Sequence, residues 1–193
     1  MTNSVDLSGR PFHFIGIGGI GMSALAQVIA GRNLPVSGSD LRLNHITKRL
    51  EQLGAHVFQD QIAQNLEFFL CDPPASQSSG GNIPSQTLPQ VICSTAISTS
   101  NAEYRAALDL GCPIFHRSDL LAALIQEYPH SIAVAGTHGK TTTSTLIATL
   151  LDLVGLDPTA VIGGIVPAFG SNGRQGEGRL LVAEADESDG SLR

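Results

Sequence analysis

The chain has 193 residues, 42% of them hydrophobic and 15% charged, which fits a globular protein of one large or two small domains. Its net charge is −6 and it has no basic run, so nucleic acid is not an expected partner. No apolar run is long enough to span a membrane, and the N-terminus has no apolar signal core, so no membrane partner is expected either. Three scattered cysteines exclude a disulfide framework and are typical of the reducing cytoplasm, and the composition leaves the oligomeric state open.

A glycine-rich turn follows the first predicted strand. Residues 12–15 are apolar, and residues 16–21 match G-x-G-x-x-G between a strand and a helix. The helix has an inner side made of Met22, Leu25, Val28 and Ile29. A second strand at 35–38 leads to Asp40, 19 positions after Gly21, close to the offset at which an acid binds a ribose hydroxyl. The combination predicts a nucleotide-binding site but does not decide which nucleotide binds there.

Strands and helices continue to alternate up to residue 128. Strands are predicted at 56–58, 90–94 and 113–116, and helices at 44–53, at 101–110 and through 120–125 with Ser118 as its N-cap. This alternation predicts an α/β fold with a Rossmann-like parallel sheet. Ligands of such sheets collect at the carboxyl ends of the strands, which favours the segments 16–21, 39–40 and 94–97. The candidate ligand-binding residues there are Gly16, Gly18, Gly19, Gly21, Ser39, Asp40 and Ser94.

Two segments interrupt the alternation. Residues 71–89 are rich in Pro, Ser, Gln and Gly and are predicted to form a mobile surface loop. Residues 128–130 read Tyr-Pro-His and form the best boundary, because a helix ends there and a new strand begins. We therefore predict one domain at 1–128 and the start of another at 129–193, in what we expect to be a fragment of a longer chain.

A phosphate-binding loop opens the second predicted domain. An apolar strand at 131–135 leads into glycine-rich residues 136–142, and the next helix has an apolar face formed by Leu146, Ile147, Leu150, Leu151 and Val154. The glycines bring N–H groups close to an anion, Lys140 adds a positive charge, and the Thr141 hydroxyl can ligate Mg²⁺. The loop departs from G-x-x-x-x-G-K-[ST], which needs glycine where Val134 stands. The alternative is a glycine turn beside an ordinary amphipathic helix.

An acidic run follows the last predicted strand. Strands are predicted at 159–162 and 180–183, with a glycine-rich loop at 169–178 between them. Residues 184–189 then carry four carboxylates, which are costly to crowd together without a cation. Acids at a strand end that faces a phosphate loop commonly hold Mg²⁺, so we expect at least one of these acids to bind metal. A solvated acidic turn is the alternative.

These motifs together resemble those of the Mur ligase family. The resemblance rests on residues 12–23, 37–40, 136–142 and 184–189, and it extends over nearly the whole chain. Residues 71–89 depart from it, because the family usually has a shorter connection there. The motifs are most similar to those of the members that join L-alanine to UDP-N-acetylmuramate. Members that reattach a recycled tripeptide have a similar layout but a first glycine motif that reads differently.

The resemblance implies a UDP-binding domain, a P-loop-containing α/β central ATPase domain and a C-terminal domain, of which the chain holds the first and the start of the second. It implies ATP and Mg²⁺, with UDP-N-acetylmuramate and L-alanine as substrates. The UDP-sugar would bind at the seven residues already named, Lys140 would be catalytic, and Thr141 and Glu184 would hold Mg²⁺. ATP would bind at Gly136, Thr137, His138, Gly139, Lys140, Thr141 and Thr142, with His138 as a spacer in the loop.

Two other functional classes fit part of the sequence. The first glycine motif and Asp40 also suggest a nicotinamide-dependent dehydrogenase, but that function would not explain the Gly-Lys-Thr sequence at 139–141. A module that binds nucleotides without turnover is the second class. It is the expectation for these 193 residues taken alone, because the amine site and part of the metal shell would lie in sequence that is absent here.

Overall fold

A computed structural model describes residues 4–70 and 87–185 of the chain. In its first half a parallel sheet runs in the order β3-β2-β1-β4-β5. The strands are β1 Phe12–Ile15, β2 Val36–Ser39, β3 His56–Phe58, β4 Gln90–Cys93 and β5 Ile114–His116. The helices are α1 Ile20–Gly31, α2 His45–Gln52, α3 Ala102–Asp109 and α4 Arg117–Glu127, with a 3₁₀ helix at Ala63–Phe69. The predicted α/β fold with a Rossmann-like parallel sheet is confirmed.

A second sheet follows in the order β6-β9-β7-β8. Its elements are β6 His130–Val134, α5 Lys140–Leu153, β7 Thr159–Val166, β8 Ser171–Arg174 and β9 Leu180–Glu184. Strand β9 lies parallel to both β6 and β7, whereas β8 returns antiparallel to β7. The carboxyl ends of β6 and β9 therefore meet at one edge, which brings the loop after β6 close to Glu184.

The prediction of a loop at 169–178 is wrong. Residues 171–174 form β8, a strand without any apolar pattern because it reads Ser-Asn-Gly-Arg. Ser171, Asn172 and Gly173 are nevertheless buried, since they pack against α1. Strand β7 is also longer than the predicted 159–162. A polar strand is thus stabilised by tertiary contacts that no local pattern reveals.

Ser118 is not the N-cap of α4. The N-cap is His116, whose Nδ1 atom accepts a hydrogen bond from the Ser118 backbone N–H at 3.3 Å. In return, the Asp119 side chain accepts from the His116 backbone N–H at 2.8 Å. This reciprocal pair satisfies two backbone groups, and histidine is an unusual residue in the N-cap position.

The apolar face predicted for α5 is only partly buried. Ile147 and Leu151 pack against the core beside Ala148, but Leu146, Leu150 and Val154 are 58%, 52% and 70% exposed. The helix contacts β7 and β9 through a narrower stripe than the sequence suggests, in which the fully buried residues are Ser144 and Ala148. The helix ends as predicted, with Gly155 in the left-handed region at φ +78°.

Helix α1 joins the two halves of the structure. It packs on the first sheet and also on β7 and β8, and its buried side chains share one core with Val161, Leu181 and Ala183 of the second sheet. Residues on each side of the predicted boundary at 128/129 thus form separate sheets over a continuous core. The division into domains at that point stays a prediction.

Two of the predicted features lie outside the described residues, namely most of the 71–89 loop and the acids after Ala185. In the part of the chain that is described, no helix is both long and apolar enough to cross a membrane.

Candidate functional site

The first glycine loop is fastened to the end of β2. The backbone N–H groups of Gly16 and Ile17 both donate to the Ser39 carbonyl oxygen, at 2.8 and 2.9 Å. Gly19 donates in turn to the Gly16 carbonyl at 3.1 Å, which closes a tight turn before α1 begins. Gly16 has φ +81°, a conformation that glycine adopts without strain. The loop therefore presents the N-terminus of α1 at the carboxyl edge of the sheet, where an anion is favoured.

Asp40 is engaged by the backbone of this loop. Its Oδ2 accepts a hydrogen bond from Gly18 N–H at 2.9 Å, and its Oδ1 accepts from Arg42 N–H at 2.9 Å. A Cβ atom at Gly18 would lie 2.8 Å from Asp40 Oδ2, so the position has no room for a side chain unless the carboxylate moves. The sequence-predicted Gly18 and Asp40 are thus brought into direct contact.

A buried polar cluster lies beneath the loop. The Ser39 hydroxyl donates to Glu103 Oε2, and Asn65 Nδ2 donates to Glu103 Oε1 at 2.6 Å. His13 Nε2 lies 3.4 Å from the same carboxylate, and its Nδ1 is within 2.8 Å of the Ser37 hydroxyl. Glu103 and His13 are fully buried. Because the Ser39 hydroxyl points into this cluster, Ser39 acts on the glycine loop through its carbonyl oxygen.

The second loop has the geometry expected of a phosphate site. Gly136 and Gly139 have φ values of +138° and +80°, and Gly139 is the N-cap of α5. Lys140 Nζ donates to the Gly136 carbonyl at 2.8 Å, so the side chain folds back across the loop. Thr137 and His138 are exposed at its tip. Backbone N–H groups at the start of a helix, together with an ammonium group, suit a phosphate chain.

Thr141 and Glu184 meet beside this loop. The Thr141 hydroxyl lies 3.1 and 3.0 Å from the two Glu184 carboxylate oxygens, and Oε2 also accepts from Gly163 N–H at 2.9 Å. Hydroxyl and carboxylate oxygens are hard donors of the kind that Mg²⁺ prefers, and the pair therefore fits that ion. Within residues 4–70 and 87–185 no group of three or more His, Cys, Asp or Glu side chains could hold a metal, so this pair would need further oxygen ligands.

Two glycines of β7 make room for that pair. A Cβ atom at Gly163 would lie 2.9 Å from both Glu184 carboxylate oxygens, and one at Gly164 would lie 2.8 Å from the Thr141 methyl group. Neither glycine belongs to a motif, and both lie beyond the strand predicted at 159–162. Consecutive glycines inside a strand indicate the close approach of another group, but this strand was predicted to end before them.

A cleft of about 290 Å³ lies between the glycine loop and Glu184, the carboxylate that contacts Thr141 beside the phosphate loop. Gly19, Gly21 and Ser94 line one side, and Gly163 and Glu184 line the other. The start of α4 closes one end, where the Arg117 guanidinium lies so near Gly21 that a Cβ there would approach Nη1 to 2.6 Å. Arg117 and Glu103 were also missed by sequence reasoning, since neither belongs to a motif. Tertiary structure alone brings them to the glycine loop.

Cys93 immediately precedes Ser94 of the cleft lining and has the character of an inert thiol. Burial, and secondarily the Asp119 carboxylate, raises the pKa of Cys93 above its ordinary value. Its Sγ donates to the Phe115 carbonyl oxygen at 3.5 Å. A neutral thiol is a poor nucleophile, so Cys93 is not expected to act as one.

Comparison with protein families matches residues 11–129 to the Mur ligase family, catalytic domain. The chain belongs to the Mur ligase family. The match covers the first sheet with its glycine loop, and the phosphate loop follows directly after it.

Several relatives match this Mur ligase chain along its full length. The UDP-N-acetylmuramate–L-alanine ligase of Synechococcus elongatus is 69% identical over 192 residues, which are 100% of this chain and 38% of the relative. The enzyme of the same name from Nostoc punctiforme is 66% identical and is covered to 40%. The chain therefore spans about two fifths of the length of the curated relatives it matches.

Solved structures agree with the fold of the family. The UDP-N-acetylmuramate–alanine ligase of Thermotoga maritima matches 93% of this chain and 37% of its own, with a TM-score of 0.76 and 31% identity. A UDP-N-acetylmuramate:L-alanyl-γ-D-glutamyl-meso-diaminopimelate ligase from Neisseria matches 93% of this chain and 53% of its own, with a TM-score of 0.75 and 28% identity. Fold similarity alone thus does not separate the two kinds of ligase.

Proposed function

We propose that this chain is the nucleotide-binding part of a UDP-N-acetylmuramate–L-alanine ligase. In the proposed reaction ATP phosphorylates the sugar carboxylate, and the amine of L-alanine displaces phosphate to form an amide. The observation that carries the proposal is a cleft with the glycine loop on one side and, on the other, Glu184, which contacts Thr141 of the phosphate-loop helix. Each of the two loops leads into the N-terminus of a helix. The high identity to ligases of that name supports the alanine-adding reaction over tripeptide attachment.

The phosphate loop supplies the groups that hold the phosphoryl donor. The N–H groups of residues 136–142 would bind the ATP phosphates. Lys140 would leave the Gly136 carbonyl and place its positive charge on the transferring phosphoryl group. Positive charge aimed at developing negative charge in a closed site lowers the barrier by several kcal/mol in typical cases, on the order of 10² to 10³ in rate. Lys140 is therefore the proposed catalytic residue.

Thr141 and Glu184 are the proposed Mg²⁺ ligands. Their oxygen atoms already lie within hydrogen-bonding distance of each other, and Gly163 N–H orients the carboxylate. Magnesium would neutralise charge on the ATP phosphates when bound. The remaining ligands would be phosphate oxygens, water or residues outside the described part of the chain.

The UDP-sugar would bind along the carboxyl edge of the first sheet. Gly16, Gly18, Gly19 and Gly21 would present backbone N–H groups and the α1 terminus to its diphosphate. Ser39 would hold the loop in shape, and Asp40 would offer its carboxylate to a sugar hydroxyl at the expense of its contact with Gly18. Ser94 lines the cleft through which the sugar carboxylate would reach the phosphoryl donor.

The decisive test is an assay of ADP release on a complete protein that carries this sequence. We expect release to require UDP-N-acetylmuramate and L-alanine together. Replacing L-alanine by the tripeptide L-alanyl-γ-D-glutamyl-meso-diaminopimelate distinguishes the two kinds of ligase. Release with the tripeptide but not with L-alanine would contradict the proposal. Saturable NAD(H) binding without UDP-sugar binding would favour a dehydrogenase instead.

A further inference from the structure

A buried amide cluster joins α1 to β8 across the two sheets. Gln27 Nε2 donates to Asn172 Oδ1 at 2.9 Å, and Asn172 Nδ2 donates to the Ser23 hydroxyl at 2.9 Å. Gln27 Oε1 accepts from the Ser171 hydroxyl. These four side chains are at most 3% exposed. A buried, mutually hydrogen-bonded polar cluster resists displacement, because any shift leaves polar groups without partners and without water.

The backbones of α1 and β8 are also in very close contact. A Cβ atom at Gly173 would lie 2.3 Å from the Ala24 carbonyl oxygen and 2.6 Å from the Ala24 Cα. Only glycine permits this approach, since the obstacle is backbone and cannot rotate away. The contact therefore sets a helix–strand separation that a side chain at position 173 would have to increase.

The far end of α1 is anchored to the same sheet. Arg32, the C-cap of the helix, donates from Nε to Gln175 Oε1 at 3.0 Å and stacks over the Tyr128 ring at 5.3 Å. The Tyr128 hydroxyl lies 2.6 Å from that of Thr159 at the start of β7. Both ends of α1 are therefore held by side-chain contacts to β8 or to residues that flank the second sheet.

The cluster reaches both nucleotide loops through short connections. Asn172 Nδ2 donates to the carbonyl of Ile20, the first residue of α1 and a neighbour of Gly19 in the glycine loop. On the other side, β8 pairs with β7, whose Gly163 holds the Glu184 carboxylate against Thr141. Helix α1, which follows the glycine loop, and strand β7, which supports Glu184 beside the phosphate loop, are thus connected through β8 and the amide cluster.

We propose that Asn172 and Gln27 are positioning residues, which set the separation and orientation of the two phosphate-binding loops. This inference rests on the proposed function, because a ligase must bring the acceptor carboxylate in line with the phosphoryl donor. Neither side chain lines the cleft between the loops. Their effect is therefore on the geometry of transfer and not on the affinity for either nucleotide.

The kinetic test uses Asn172→Ala in the complete protein, with Gln27→Met as a second variant that keeps the side-chain volume. We expect kcat for ADP release to fall about ten- to a hundredfold while KM for ATP and for UDP-N-acetylmuramate changes less than about threefold. Arg174→Gln is the matched control, since it removes ion pairs to Asp152 and Asp157 inside the second sheet unit. It should lower stability and leave kcat within about twofold.

A second measurement needs no substrate and so separates this inference from the proposed function. Spin labels at exposed positions 48 and 153, with Cys71 and Cys93 replaced by serine and the buried Cys112 by alanine, report the distance between α2 and α5. We expect one narrow distance distribution in the parent and a shifted or broader one in Asn172→Ala. An unchanged distribution, or an unchanged kcat, would overturn the positioning role. A parent protein that binds neither substrate would refute the proposed function. The distance measurement would still test whether Asn172 sets the separation of α2 and α5.

Discussion

At the scale of single residues, the position of Lys140 is the main support for the proposed phosphoryl transfer. Its ammonium group bridges back to Gly136 across the phosphate loop, so it is already at the site where phosphate charge would lie. For Lys140→Ala in the complete protein we expect ligation to fall by about 10² to 10³, because one charged donor to the transferring group is lost. UDP-sugar affinity should be unchanged, since that ligand would bind at the other loop.

The matched control for this variant is Lys48→Ala, which removes an exposed lysine on α2. ADP release should be at the parent rate in the control. Turnover close to the parent level in Lys140→Ala would refute the assigned role.

Gly163 gives a second prediction at this scale. A methyl group at this position would lie 2.9 Å from the Glu184 carboxylate, whose flexible side chain would move away from Thr141. For Gly163→Ala we expect the Mg²⁺ concentration at half-maximal activity to rise severalfold, roughly three- to tenfold, because the ligand pair is separated. A magnesium titration of ADP release measures this. Ile165→Val, two residues along the same exposed stretch of β7, serves as control, and an identical titration curve for both variants would contradict the metal assignment.

At the scale of elements, the helix termini show how local chemistry sets the boundaries. The carboxylate of Asp119 caps the start of α4 by accepting from His116 N–H. Asp119→Ala should therefore lower the free energy of unfolding by about 1 kcal/mol, and the Tm by about 2–4 °C. Asp109→Ala is the natural comparison, because that acid occupies the last position of α3, where the helix dipole disfavours negative charge. In thermal unfolding, the Tm should fall for Asp119→Ala and should rise or stay unchanged for Asp109→Ala. An equal fall in Tm for both variants would contradict the capping role.

At the scale of the whole molecule, the 193 residues should bind nucleotide without completing the reaction. Curated relatives are more than twice as long as the part that this chain matches, and we propose that the amine site and further metal ligands lie in the remainder. Calorimetry should detect weak binding of UDP-N-acetylmuramate to the purified 193-residue chain. Formation of an amide product by that chain alone would contradict the proposal that the amine site and further metal ligands lie in the remainder.

Much of this architecture was open to prediction because its signals are local. The strand at Phe12–Ile15, the glycine turn after it, the alternation up to α4 and the Gly-Lys-Thr loop all follow from hydrophobic period and turn chemistry within a few neighbours. The pairing of Thr141 with Glu184 was implied by the family resemblance, and the two side chains meet because α5 begins at the edge of the sheet where β9 ends. Strand β8 and the His116 cap escaped prediction, because one is a polar strand and the other a rare capping residue.

The sequence by itself determined which residues could bind phosphate and which family the motifs resemble. Only the tertiary structure decided where the two loops stand relative to each other. That arrangement depends on contacts between residues about 145 positions apart, such as Gln27 with Asn172, and on the absence of a Cβ atom at Gly173. No periodic pattern records such contacts, because their free energy comes from groups that meet only after both sheets have formed.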